Sequence, residues 1–156
     1  MTNSKPTIYL AGPVMSMTDG GAGWRIDVEI EHGHLYEFRN PLSKYNIPVD
    51  GIEIVDGATH GGDNVVSVSE IVEGDKHLLA ESDAVLVGYS AVRSIGTPME
   101  VMWAFERDMP IAIWTRDGTD PSELSPWYRY HADLITNSVE LALGGLDRRV
   151  GGGSDE

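Results

Sequence analysis

"SIGTPMEVMWAFERDMPIAIW", residues 94–114, reads as a helix followed by a short buried strand. Thr97 is a candidate N-cap, Pro98 suits the first helical position, and Ile111-Ala112-Ile113-Trp114 is an apolar run of strand length. Glu100 is the residue to explain. It stands one turn into an otherwise largely apolar helix, just after the Ser94-Ile95-Gly96 turn. Thr97-Pro98-Met99-Glu100 has the S/T-x-x-E spacing of a capping box, in which the glutamate reaches back to the cap amide. The competing reading is a carboxylate kept for chemistry.

Toward the N-terminus, Thr7-Ile8-Tyr9-Leu10-Ala11 ends at Gly12-Pro13, the pattern of a buried strand closed by a tight turn. Residues 19–23 form a glycine-rich loop. In "WRIDVEIEHG", Ile26, Val28 and Ile30 alternate with charges, which favours a strand over a short helix. A further strand is expected over 35–38, ending at Asn40-Pro41-Leu42. Residues 44–64 are turn-rich without repeat or period; such a segment is either a variable surface insertion or a functional lid. The stretch 65–82, "VVSVSEIVEGDKHLLAES", carries a helical stripe of Val68, Ile71, Val72, Leu78 and Leu79, and 83–89 reads as a buried strand. After Trp114 a polar loop leads to a helix over 138–143. The glycine-rich "GGLDRRVGGGSDE" is expected to be loose, giving one domain over 1–144 and a flexible tail over 145–156.

Strands alternating with helices imply an α/β domain, a flavodoxin/Rossmann-like parallel sheet with helices on both faces. Ligands in such folds bind beyond the carboxyl ends of the strands. The Gly12 loop, the Asn40 loop and the 94–100 turn should therefore line one crevice.

Composition narrows what that crevice can hold. The 156 residues carry a net charge of -14, which repels polyphosphate chains and argues against DNA or RNA as a partner. A single nucleotide held by local donors remains compatible. There is no cysteine, hence no disulfide and no thiolate metal site. His32, His34, His60, His77 and His131 form no recognisable ligand set, so no metal is expected. No stretch reaches the roughly 18 apolar residues of a membrane span, and no signal-like start is present. The chain reads as a soluble cytoplasmic protein.

Asp75 is the second carboxylate of interest. It lies four residues after Ile71 and three and four before Leu78 and Leu79, on the apolar stripe that faces the sheet. Acidic side chains are rarely buried without a partner, and an uncompensated one picks up a proton. Asp75 is then either satisfied by backbone amides or reaches the crevice beside Glu100. Two carboxylates from adjacent helices suit acid, base or nucleophile roles.

"IYLAGP" at the first strand, "NPL" after the second, Asp75 eight residues before Asp83, and "SIGTPMEVMWAFERDMPI" together resemble the nucleoside 2-deoxyribosyltransferase superfamily, which includes N-glycosidases of nucleoside 5'-monophosphates. The likeness spans about residues 8–113, with an echo at "LITNSVELAL". It implies that Glu100 is the nucleophile, that Asp75 is the acidic partner near the leaving base and sugar, and that Gly12 and Pro13 shape the base pocket. Ser94, beside Gly96 in the catalytic turn, would approach a 5'-phosphate. Ser138, next to Asn137, would be donated across a subunit interface. Arg25 would face the phosphate, with Arg93 as the alternative. No metal or redox cofactor is called for. The sequence departs from the family pattern in the short, alternating segment 24–40, in the 44–64 insertion and in Pro98-Met99.

The reaction implied is cleavage of the N-glycosidic bond of a (deoxy)nucleoside or its 5'-monophosphate through a glycosyl-glutamate, with transfer to another base or to water. A nucleotide-binding sensor without turnover and an NAD-cleaving enzyme are the rival readings. The aromatic residues of 127–130 and the face of Val139, Leu141 and Leu143 suggest a buried interface, hence a homodimer or larger assembly with shared sites.

Overall fold

The structure is a computed structural model and describes residues 4–14, 21–45, 51–56 and 65–152. Its first half runs β1 (Thr7–Ala11), α1 (Ala22–His32), β2 (Glu37–Arg39), a 3-10 turn over Pro41–Lys44, β3 (Glu53–Val55), β4 (Val65–Ser67) and α2 (Val68–Ala80). There follow β5 (Ala84–Tyr89), α3 (Gly96–Phe105), β6 (Ile111–Thr115), α4 (Pro126–His131), β7 (Leu134–Thr136) and α5 (Val139–Gly152).

Five strands form a parallel sheet in the order β2-β1-β5-β6-β7. With the separate β3-β4 pair set aside, this is the 2-1-3-4-5 order of flavodoxin-like doubly wound folds. The period-two geometry of a strand sends Ile8 and Leu10 to one face and Tyr9 and Ala11 to the other. On the first face they join Trp24 and Val28 of α1 and Leu143 and Leu146 of α5. On the second, Leu79 of α2 and Val101 and Ala104 of α3 pack on Tyr9, Val85, Val87 and Ile113. Both faces are covered, which is why these strands are continuously apolar. Among the described residues no helix is long and apolar enough to cross a membrane.

The structure corrects four sequence expectations. The alternating segment is not a strand: α1 is a helix that buries Trp24, Arg25 and Val28 and leaves Ile26 and Ile30 at 46% and 76% exposure. Its alternation came from apolar residues that never enter the core. The chain after Gly144 is not loose through residue 152, because α5 continues to Gly152 and anchors itself through Leu146. Residues 153–156 lie outside the described residues. Leu143 is a core residue and leaves only Leu141 of the expected interface face exposed. On α2, Val68 and Val72 are exposed, so the stripe narrows to Ile71, Leu78 and Leu79.

Two glycines fix how α1 meets the sheet. Gly21 precedes the helix in the left-handed region at φ 79°, where a side chain would be strained and its Cβ would lie 2.4 Å from the Pro13 carbonyl oxygen. At Gly88 of β5 a Cβ would fall 2.6 Å from the Trp24 ring. Gly88→Ala is therefore expected to cost about 1–3 kcal/mol of stability by overpacking, read as a lower denaturant midpoint at unchanged m-value. An unchanged midpoint would mean that the indole can step aside.

Candidate active site

The carboxyl ends of β1, β2 and β5 open onto one cavity of about 410 Å³, bordered among others by Gly12, Leu42, Asp75, Ser94, Gly96 and Glu100. The three turns expected to share a crevice do share it. It lies where the strand order reverses between β1 and β5, the usual ligand position in such sheets. Asn40 shapes the second turn, its side chain accepting the Leu42 N–H at 2.9 Å to start the 3-10 turn. Ile52 and Ile54 from the 44–64 segment also border the cavity. Residues 46–50 and 57–64, the rest of the suggested lid, lie outside the described residues.

Glu100 is not a cap. The helix begins at Gly96, so Thr97 is already inside it, and the Thr97 N–H is taken by the Ser94 hydroxyl at 3.2 Å. Ser94 also shares a 2.7 Å hydrogen bond with the Thr97 hydroxyl. Glu100 instead turns inward and accepts a 2.6 Å hydrogen bond from the Tyr9 phenol. Burial pushes the Glu100 carboxyl up to about 7; the Tyr9 bond opposes this, Asp75 adds to it, and Arg25 and Lys44 pull it down. Burial also drives the Tyr9 phenol far above its ordinary range, with Glu100 and Asp75 adding to it, so Tyr9 stays a donor.

Asp75 comes to the same cavity from α2, on the other side of β5 from α3 in sequence. Burial raises its carboxyl above the ordinary range, while its hydrogen bond and ion pair with Lys44 pull the other way. Among the described residues it is the ammonium, not a backbone amide, that satisfies it.

Arg25 is buried and borders the Glu100 cavity. At 1% exposure it donates to the carbonyls of Leu10, Gly21 and Gly12 at 3.2, 2.7 and 3.0 Å, pinning the loop that follows β1. Burial lowers its guanidinium to about 10, still cationic at neutral pH. These three bonds make it a clamp on the wall of the cavity that Glu100 and Ser94 also border. Arg93 borders the cavity and is exposed.

Pro13 belongs to an adjacent cavity of about 640 Å³ between β5, α3 and α4, rather than to the one that holds Glu100. Gly96 borders the Glu100 cavity, and nothing lies within 4 Å of where its Cβ would stand, so the helix start presents open space to a ligand. Asn137 and Ser138 are not brought to Glu100 within the chain. Asn137 borders a third cavity with Trp24, Trp114 and Arg116, and the Ser138 hydroxyl accepts the Leu141 N–H at 3.2 Å near the start of α5.

Sequence reasoning missed Tyr9 and Lys44. A tyrosine inside an apolar strand is a signal, because a buried phenol needs a partner. Lys44 carried only the hint of being one of three lysines in a strongly acidic chain.

No protein-family model matches the chain, and no curated protein matches it. Among solved structures it is similar to "conserved protein from Enterococcus faecalis V583", at 16% identity and a TM-score of 0.59, over 94% of this chain and 99% of that one. At that identity the likeness is one of fold.

Proposed function

We propose that the protein cleaves the N-glycosidic bond of a (deoxy)nucleoside or its 5'-monophosphate through a covalent glycosyl-Glu100 intermediate. The observation that carries this reading is the meeting of Glu100 and Asp75 in one cavity at the sheet's switch point, with Glu100 poised to ionise at about 7. Tyr9 holds Oε2, which leaves Oε1 to attack the anomeric carbon as the bond to the base breaks. The base nitrogen takes a proton that Asp75 relays from the Lys44 ammonium paired with it, so the base leaves neutral. Water or a second base then attacks the glycosyl ester, which frees Glu100; the proton this releases, or one from solvent, restores the acid.

The test is release of free base from a panel of nucleosides, their 5'-monophosphates and NAD, followed by chromatography. Base release from nucleosides or monophosphates is expected. Nicotinamide release from NAD alone would transfer the same glutamate chemistry to NAD cleavage. Saturable binding without release would favour the sensor.

The position of Ser138 bears on assembly. It can serve a Glu100 cavity only by reaching that of a second copy, and Ile95, Met99, Trp127 and Tyr130 leave an exposed apolar surface around α3 and α4. The protein is expected to run as a dimer or larger by light scattering, and Ser138→Ala to weaken turnover of monophosphates more than of nucleosides. A fully active monomer, or equal loss on both substrates, would remove the shared site.

A further inference from the structure

We propose that Lys44 is a positioning residue that neutralises Asp75, so that Glu100 alone carries the negative charge of the cavity, and that Gly74 is the gap in α2 through which Lys44 reaches it. The role given to Glu100 rests on the function proposed above. The side-chain arrangement does not.

Two carboxylates facing one cavity resist being ionised together, since each charge raises the other's proton affinity. A nucleophilic Glu100 at neutral pH therefore needs Asp75 balanced. The groups that face Asp75 are Lys44 and Tyr45 from the turn after β2, Tyr9 from β1, Arg25 from α1 and Glu100 from α3, with Arg93 on the cavity wall. Arg25 donates to three carbonyls, and Arg93 is exposed. Of these cations, Lys44 is the one that binds the carboxylate, and the pair is largely removed from solvent, at 21% and 23% exposure.

The route of the lysine is built into the helix. Glycine in a helix interior is unfavourable, yet Gly74 sits in the middle of α2, directly before Asp75. A Cβ there would lie 3.0 Å from Lys44 Cδ and 3.4 Å from Nζ, closer than the stem can tolerate without shifting. Glycine at 74 gives the ammonium its approach to the neighbouring carboxylate.

The experiment follows the Asp75 and Glu100 carboxyl carbons by NMR titration of the ligand-free protein, alongside the pH profile of base release. In Lys44→Met both titrations should move to higher pH, and the acid limb of kcat/KM should move with them, a loss of about tenfold at pH 6 for each pH unit of displacement. Lys44→Arg should restore most of the profile. Gly74→Ala, a helix-favouring change, should move both titrations in the same direction by less, without lowering the melting temperature. Unchanged titrations in Lys44→Met, or a rate loss equal at every pH, would overturn the role of Lys44. Parent-like titrations in Gly74→Ala would overturn that of Gly74. Because the titrations need no substrate, they stand if base release fails, and normal base release with unmoved titrations would sink this inference alone.

Discussion

Glu100→Gln is expected to abolish base release, lowering kcat by about 10³-fold or more, while the protein stays folded and becomes more stable above neutral pH. The amide keeps the size of the carboxylate and can still accept the Tyr9 hydrogen bond, but it cannot form the glycosyl ester. The stability gain follows from the same burial that tunes the group. The folded carboxyl titrates at about 7 against an ordinary 4.5, so the native state binds its proton more tightly than the unfolded chain does. That contribution is fully present below about pH 4.5 and is lost as pH rises through about 7, amounting to at most about 3 kcal/mol. Glutamine pays no such penalty. Thermal melts at pH 5 and pH 8 should converge for the variant and diverge for the parent. Near-parent turnover in the variant would sink the proposed nucleophile; the same ionisation should also make the parent's kcat/KM climb with pH up to about 7.

Asp75→Asn should lower kcat by about 10²–10⁴-fold, the usual worth of a positioned proton donor, with substrate binding largely kept. The change also removes a negative charge that raises the Glu100 carboxyl. With Lys44 left cationic beside it, the acid limb of the pH profile should slide to lower pH even as the plateau falls. That opposite movement separates chemistry from packing, because a merely loosened cavity would lower the rate without displacing the limb. If rate and binding were both unchanged, Asp75 would be structural only.

The parallel sheet was legible because β1, β5 and β6 are short apolar runs with turn residues at their ends, and burial on both faces leaves no other reading for them. The convergence of the Gly12 loop, the Asn40 loop and the 94–100 turn followed from topology, since loops after neighbouring parallel strands share an edge; Asp75, in the middle of α2, reads equally well as a structural carboxylate until the fold brings it to the same cavity. What escaped were facts of three-dimensional contact. Ile26 and Ile30 mimic a strand only if they are assumed to be buried, and they are not. The glycines of α5 looked like a frayed end because nothing local announces that Leu146 will dock on the sheet. The capping-box spacing at Thr97 was formally correct, but Ser94 takes the amide and Tyr9 takes the glutamate. Lys44 and Asp75 stand 31 residues apart, and no pattern joins them before the chain folds.

The first strand of the chain occupies an interior lane of the sheet, and this has a consequence for how the protein comes into being. As the polypeptide is made, β1 emerges early, yet its neighbour β5 is complete only at Tyr89 and Glu100 follows later still. Tyr9 and Glu100 meet across 91 positions of sequence. Such long-range pairing is slow, and it leaves the edge of β1 open to wrong partners until the second crossover docks. The Tyr9–Glu100 hydrogen bond can thus form only after β5 and α3 have been made and docked. In a nascent or half-folded chain Glu100 lacks the Tyr9 hydrogen bond that orients it, and gains it only when the central sheet has closed around Tyr9.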